Sequence, residues 1–478
     1  MCNAGSEFTE RGERPQWRGP SRPEQKPTGR NDAPGRATEQ RRSTEFGAAP
    51  QWAGAGLSAE RLFCFGRGMK EMSVEKTRLK LGIVPLIDAA PLVVAKERGF
   101  FAEMGLDVEL SREASWASIR DKVAVGALDG AQMLAPMPLA MSLGLSPIRV
   151  PMAVGMALNL GGNTITIGNA LWERMEAADP QSMAARPVSA RALKRVIEAD
   201  RAVGKPPMTF ATVYPYSPHA AELRLWMEAA GIDTQAEVRF TVVPPPQMIS
   251  FLSAGNIDGY CVGEPWGSLA VRMNLGRIAA TSGDIFAGRL EKVFAVTQTW
   301  AETHPETHLA VLQALISAAR WCDDNRCELA ELLAQPQYVN APVDALLAPL
   351  LGEHGLPKTL LTFHAQAANF PWRSQAMWYL EMMKRWDMAP FALDSRAAAE
   401  AVFRPDLYRV AALALGLRVP LTDYKTEGGH AAPWNLLKAT RPIEMGPDLL
   451  LGGGTFDPFA SRATAMPPTA KTESGDLT

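Results

Sequence analysis

The chain has 478 residues, 47% of them hydrophobic, which is enough for a large buried core organised as two or three domains or as one bilobal unit. Its 49 basic and 51 acidic residues give a formal charge of −2, which excludes a global field for nucleic acid or for an anionic membrane. Five scattered cysteines, with no CxxC and no Cys/His metal spacing, read as reduced thiols and fit a cytoplasmic protein.

Residues 1–72 are rich in Arg, Glu, Gly, Pro and Ser, lack apolar periodicity and read as a disordered leader without the apolar run of a signal peptide. Patterned sequence begins at "TRLKLGIVPLIDAAPLVVAKERGFFAEMGLDVEL": a short strand, one helix ended by Gly105, and a second strand, which together imply a parallel sheet. "WASIRDKVAVGAL" is a helix opened by Trp116, and "GAQMLAPMPLAMSLGL" is a strand, a proline break and a helix. "IRVPMAVGMA" and "NTITIG" are further strands, and residues 73–168 form the first part of lobe 1. A second α/β block, residues 169–292, is lobe 2. It holds the strands "MTFATVY", "EVRFTVVPP" and "DGYCVG" and the helices between and after them. Residues 293–460 return to lobe 1 and are mostly helical, and the Pro/Thr/Ser-rich tail 461–478 reads as disordered. No run of about 18 apolar residues occurs, so no transmembrane helix and no membrane partner are expected.

In open α/β sheets ligands bind at strand ends, so the residues that follow strands matter most. "YPYSPHAAELRLWMEAAG" is a helix with Ser217 as its cap, Pro218 at its first position and Gly231 at its exit. His219 then sits in the first turn, where the helix dipole is positive and a protonated imidazole gains nothing from it. Trp116, Asn163 after Gly161-Gly162, the Pro244–Pro246 turn and Lys292 stand at comparable places. Singly, each has an ordinary reading: a core aromatic, a turn residue, a stiff loop, a solvated lysine. The chain has no GxSxG, HExxH, GxxxxGK[ST] or GxGxxG motif, and His304 and His308 lack a third metal ligand, so neither an enzyme nor a metal or cofactor site is expected.

The segments "LGIVPLIDAAPLVVAKERGFFAEMGLDVEL", "WASIRDKVAVGALDGAQMLAPMPLAMSLG", "VPPPQMISFLSAGNIDGYCVGEPW" and "HPETHLAVLQALISAARWCDDN" resemble the nitrate- and bicarbonate-binding proteins of ABC importers. That resemblance runs from about residue 79 to about residue 456. It implies an α/β, two-lobed type II periplasmic-binding-protein fold with the ligand cleft between the lobes and extra C-terminal helices. It also places an anion site on Trp116 (packing over the ion), Asn163 (a shorter amide than the family's glutamine), a backbone N–H near Thr212, His219, the Pro245 wall and Lys292. Bicarbonate binders carry a carboxylate resembling a calcium ligand where this chain has Lys292, so the lysine implies a bare anion, nitrate or nitrite. Lys292 would lower the pKa of His219 and the anion would raise it.

The importers' receptors carry an export signal, and the family also has cytoplasmic nitrate/nitrite sensors. These hold an RNA-binding antiterminator of the ANTAR type and release it when the anion binds. The leader's composition and the thiol usage point to the sensor, with no direct nucleic-acid contact by this chain. The alternatives are the nitrate-binding component of an importer and an enzyme related to pyrimidine synthesis.

Overall fold

In β1 (Arg78–Ile83) the exposed Arg78 and Lys80 alternate with buried Leu79 and Leu81 before the strand enters the core. A computed structural model describes residues 73–358 and 360–460; the expected leader 1–72 and tail 461–478 lie outside them. β1 pairs in parallel with β2 (Asp107–Arg112), as the strand–helix–strand pattern requires. The connection differs from the single expected helix. It is two helices, Ala90–Glu97 and Phe100–Glu103, because Gly99 takes a left-handed φ of 80° and turns the chain so that Phe101 is buried.

β3 (Gly130–Leu134) and β4 (Met152–Gly161) complete the first pass through a six-stranded mixed sheet. The chain then crosses to a second sheet of five strands: β5 (Asn163–Gly168), β6 (Thr209–Thr212), β7 (Arg239–Val242), β8 (Gly259–Gly263) and β9 (Gly276–Thr281). This sheet begins at Asn163, ahead of the break after residue 168 read from the sequence. Its own core is built on Ile165, Ile167, Phe210, Leu223 and Trp226. β10 (Leu290–Thr297) returns to the first sheet, antiparallel between β3 and β4, and β11 (Leu361–Thr362) closes that sheet's edge against Leu160 and Gly161.

The first crossover is Gly161-Gly162, at φ 64° and 105°. A Cβ on Gly161 would stand 2.5 Å from the Leu360 carbonyl oxygen. Further helices follow β10, among them Pro305–Asp324, Arg373–Arg385, Ser395–Val402 and Pro405–Ala414, and β12 (Trp434–Leu436) pairs with β13 (Ile443–Met445) as a small hairpin. β9 and this hairpin have no counterpart in the sequence reading. Cys261 and Cys322 are free and buried. Cys327 is disulfide-bonded, against the expectation of reduced thiols throughout.

The two sheets meet through specific bonds. Ile87 N–H donates to Glu264 O (2.9 Å) and Trp266 Nε1 donates to Pro85 O (3.1 Å). Arg120 Nη1 donates to Tyr214 OH (3.2 Å) and Tyr216 OH donates to Leu145 O (2.7 Å). On the C-terminal side, Arg385 Nη2 and Trp386 Nε1 both donate to Glu228, each at 2.7 Å.

Gly161→Ala meets both a positive φ and a backbone oxygen, so it should destabilise the protein by about 2 kcal/mol or more. The measurement is the urea midpoint; a midpoint equal to that of the parent chain would contradict the constraint.

Candidate functional site

Ser217 caps the helix Pro218–Glu228: its hydroxyl accepts from Ala220 N–H at 3.0 Å, and Pro218 occupies the first turn. The cap holds His219 in the junction between the sheets, where the side chain is fully buried. The two tyrosines ahead of it, Tyr214 and Tyr216, make the inter-sheet bonds given above.

Trp116, Asn163, Thr212, His219 and Lys292 are all buried, at 3% exposure or less, and Pro245, which opens a 3₁₀ turn Pro245–Gln247, is buried too. The sequence pattern puts Lys292 ahead of a strand; it lies instead inside β10, opposite Leu134 of β3 and Asn159 of β4. The β10–β4 register shifts on both sides of Lys292. Such a bulge turns neighbouring side chains toward one side, and Lys292 Nζ accordingly reaches the adjacent Glu291 Oε1 at 2.9 Å. It also bonds Asp88 Oδ2 at 2.8 Å and lies 5.8 Å from the centre of the Trp116 ring. His219 Nε2 is 3.8 Å from the same Glu291 oxygen.

Asn163 Nδ2 donates to Glu222 Oε2 at 2.9 Å. Arg289 joins Glu222 to Glu291, donating to Glu222 Oε1 and, at 2.8 Å, to Glu291 Oε2, and its Nη1 donates to Tyr379 OH at 2.6 Å. Asp88 Oδ1 accepts from Gln132 Nε2. Gly263 closes the ring of contacts: a Cβ there would lie 3.2 Å from Asp88 Oδ2 and 3.5 Å from Asn163 Oδ1. Thr212 ends β6, and its carbonyl accepts from Val243 N–H at 2.9 Å.

Sequence reasoning missed Asp88, Glu222, Arg289 and Glu291. Three carboxylates therefore face two permanent cations in a buried junction, an excess of one negative charge when all five are ionised. Burial is the main force on Asp88, Glu222, Lys292 and His219. It pushes the Asp88 carboxyl up against the pull of Lys292, and it pushes Glu222 up to about 7 against Arg289 and with Glu291. It works against the Lys292 ammonium, but Asp88 and Glu291 more than offset it, so Lys292 stays charged. His219 is held well below the usual imidazole range by burial first, then by Lys292 and Arg289.

Several polar atoms here lack a hydrogen-bond partner within the protein: Trp116 Nε1, both ring nitrogens of His219, Asn163 Oδ1, Asn159 Oδ1 and Arg289 Nε. Buried polar groups are ordinarily paired, at a cost of about 1–3 kcal/mol each when they are not. Trp116 and His219 add neutral N–H donors beside the Lys292 ammonium, an arrangement that can take a small, planar, acceptor-rich anion.

Residues 72–335 match the NMT1-like family. The chain is 37% identical over 390 residues to the nitrate import ATP-binding protein NrtC of Synechocystis, covering 79% of this chain and 54% of that protein, so it spans about half the length of that relative. It is 33% identical over 364 residues to the nitrate/nitrite binding protein NrtA of Synechococcus elongatus, covering 72% of this chain and 80% of NrtA. The crystal structure of the periplasmic nitrate-binding protein NrtA from Synechocystis superposes with a TM-score of 0.70 at 28% identity, over 80% of this chain and 96% of NrtA.

His219 gives a pH signature. Its folded-state pKa lies below the ordinary value near 6.5, so the unfolded chain binds a proton there that the folded chain refuses, and stability is lost as pH falls below about 6.5. The stability advantage of the parent chain over His219→Asn should therefore shrink from pH 7.5 to pH 5.5, as read by urea unfolding. A constant difference across that range would contradict the assignment.

Proposed function

The chain belongs to the NMT1-like family, in the group that contains the nitrate/nitrite-binding proteins, and from that premise we propose that it binds nitrate or nitrite between its two sheets. The observation that carries this reading is the convergence of unpartnered buried donors, Trp116 Nε1 and the His219 ring, beside the buried Lys292 ammonium. A monovalent anion taken out of water needs charge-assisted bonds to offset its desolvation. Lys292 supplies the charge, the first turn of the Pro218 helix adds positive potential, and the flat indole of Trp116 fits a flat ion. Asn163, the backbone near Thr212 and the Pro245 turn form the remaining walls. Asp88, already bonded to Lys292, holds the ammonium in place before the anion arrives.

The role we assign is that of a cytoplasmic sensor, which holds an ANTAR-type antiterminator and releases it when the anion closes the lobes. It rests on the resemblance to the sensors of the family. The names of the relatives favour the alternative, the nitrate-binding component of an importer. In the sensor, closure favours the anion and disfavours the partner by one coupling free energy. Among the described residues, no helix is long and apolar enough to cross a membrane.

Calorimetry with nitrate, nitrite, bicarbonate and sulfate tests the binding reading. Nitrate or nitrite should give saturable heat, and Lys292→Ala or His219→Ala should weaken it by about 2 kcal/mol or more, roughly thirtyfold. Wild-type protein that gives no heat with any of the four would end the reading, and unchanged affinity in both variants would end the site assignment.

The sensor role is tested by co-purification with an ANTAR-domain protein. Saturating nitrate should lower that affinity about 5–150-fold; an affinity indifferent to nitrate would remove the sensor role while leaving anion binding intact.

A further inference from the structure

Of the three buried carboxylates, two have both oxygens held by donors that cannot become acceptors. Glu291 takes Lys292 Nζ on Oε1 and Arg289 Nη2 on Oε2. Asp88 takes Lys292 Nζ on Oδ2 and the Gln132 amide on Oδ1, and that amide is itself fixed, because its oxygen accepts from Val84 N–H at 2.8 Å. Glu222 differs. Its Oε1 is committed to Arg289, which only donates, but its Oε2 faces the Asn163 amide at 2.9 Å and the Cys261 thiol at 3.3 Å. An amide has a donor end and an acceptor end and can exchange them by turning over. The Asn163 oxygen has no partner of its own to prevent this.

While Glu222 is ionised, its carboxylate fixes the Asn163 NH₂ on its own side. The Asn163 oxygen then points away, toward the Gly263–Asp88 side of the ring. With Asn163 as a wall of the proposed site, that presents an acceptor to an ion made only of acceptors. The charge balance opposes such an ion too, since the five ionised groups already carry one excess negative charge. We propose that Glu222 is the specificity-determining residue of the site: it takes a proton on Oε2 together with a nitrate- or nitrite-like anion, which turns the Asn163 NH₂ toward that anion, whereas ionised Glu222 keeps the Asn163 oxygen forward and favours an anion that carries its own O–H, such as bicarbonate. The proton comes from solvent and stays on Glu222, donated to the turned Asn163 oxygen; no other bond is made or broken. This inference rests on the anion-binding reading.

The groups facing Glu222 allow the step. Arg289 and Glu291 from the β10 side, Tyr379 through its bond to Arg289, Cys261 on β8 and His219 on its own helix are its titratable neighbours. Burial and Glu222 hold Cys261 as a neutral thiol that can go on donating to Oε2. Burial and the neighbouring charges set Glu222 near neutrality, at about 7, where a modest added negative charge shifts its protonation.

The test is calorimetric proton counting. Nitrate is titrated into the full chain at pH 8 in buffers of different ionisation enthalpy, with bicarbonate in parallel, for wild type and for Glu222→Gln. In the variant the introduced side-chain oxygen takes Arg289 and the introduced NH₂ faces Asn163, which reproduces the protonated state. We expect net proton uptake with nitrate in wild type, with nitrate affinity falling up to tenfold per pH unit above neutrality. In Glu222→Gln the uptake should drop by about one proton, the pH slope should flatten, and the nitrate-to-bicarbonate affinity ratio should rise roughly tenfold. Nitrate binding to wild type without proton uptake from pH 7 to 9 overturns the proposal while the anion site stands, and needs no variant to fold. Wild-type uptake retained in Glu222→Gln overturns it as well, since the proton then belongs to another group such as His219. Absence of anion heat at every pH overturns both this proposal and the reading beneath it.

Discussion

Ion pairing away from solvent sets the terms for the junction between the sheets. Lys292 and Arg289 come from one bulged strand and the residue just ahead of it, Asp88 from the loop after β1, Glu222 from a helix of the second sheet and Glu291 from between the two cations. Charges of this kind are tolerated out of water only when each is paired and hydrogen-bonded, and removing one partner exposes the full desolvation cost of the other. The two lobes are therefore not independent of each other. Arg289, just ahead of the strand returning to the first sheet, is bonded to Glu222, on the second, so the salt-bridge chain spans both sheets.

The helix Pro218–Glu228 transmits that arrangement in both directions. Its first turn presents His219, its middle presents Glu222, and its last residue, Glu228, accepts from Arg385 and Trp386 of the C-terminal region. One rigid element thus links the site to a surface of the C-terminal helices, with Tyr214 and Tyr216 tying its approach segment to the other lobe. Any rotation of the second sheet moves all of these groups together.

Much of this is legible in the sequence where local chemistry decides it. Ser217 and Pro218 announce a helix start, so the placement of His219 in the first turn follows from the chain itself, and Trp116 opens its helix as the pattern indicates. The strand–helix–strand opening yields the parallel β1–β2 pair. Gly99 breaks a helix that periodicity alone carries through, because one left-handed residue outweighs a continuing apolar stripe. The ion-pair partners are not legible. Asp88 lies in "IDAA", Glu222 in a helix otherwise read as an apolar stripe, and Arg289 and Glu291 flank a leucine in "GRLEK"; each looks like a surface charge until the sheets bring them together. The bulge that sets Glu291 and Lys292 on one side is a property of the pairing with β4, and no residue in "LEKVFAV" signals it.

The Gly161-Gly162 crossover is pressed from behind by Leu360 and Leu361, and Gly161 itself is paired to Leu361. The crossover between the sheets is thus braced by residues about two hundred positions further along the chain. A sequence change in the short β11 segment therefore acts directly on the crossover between the sheets. The C-terminal third of the chain is mechanically part of that crossover.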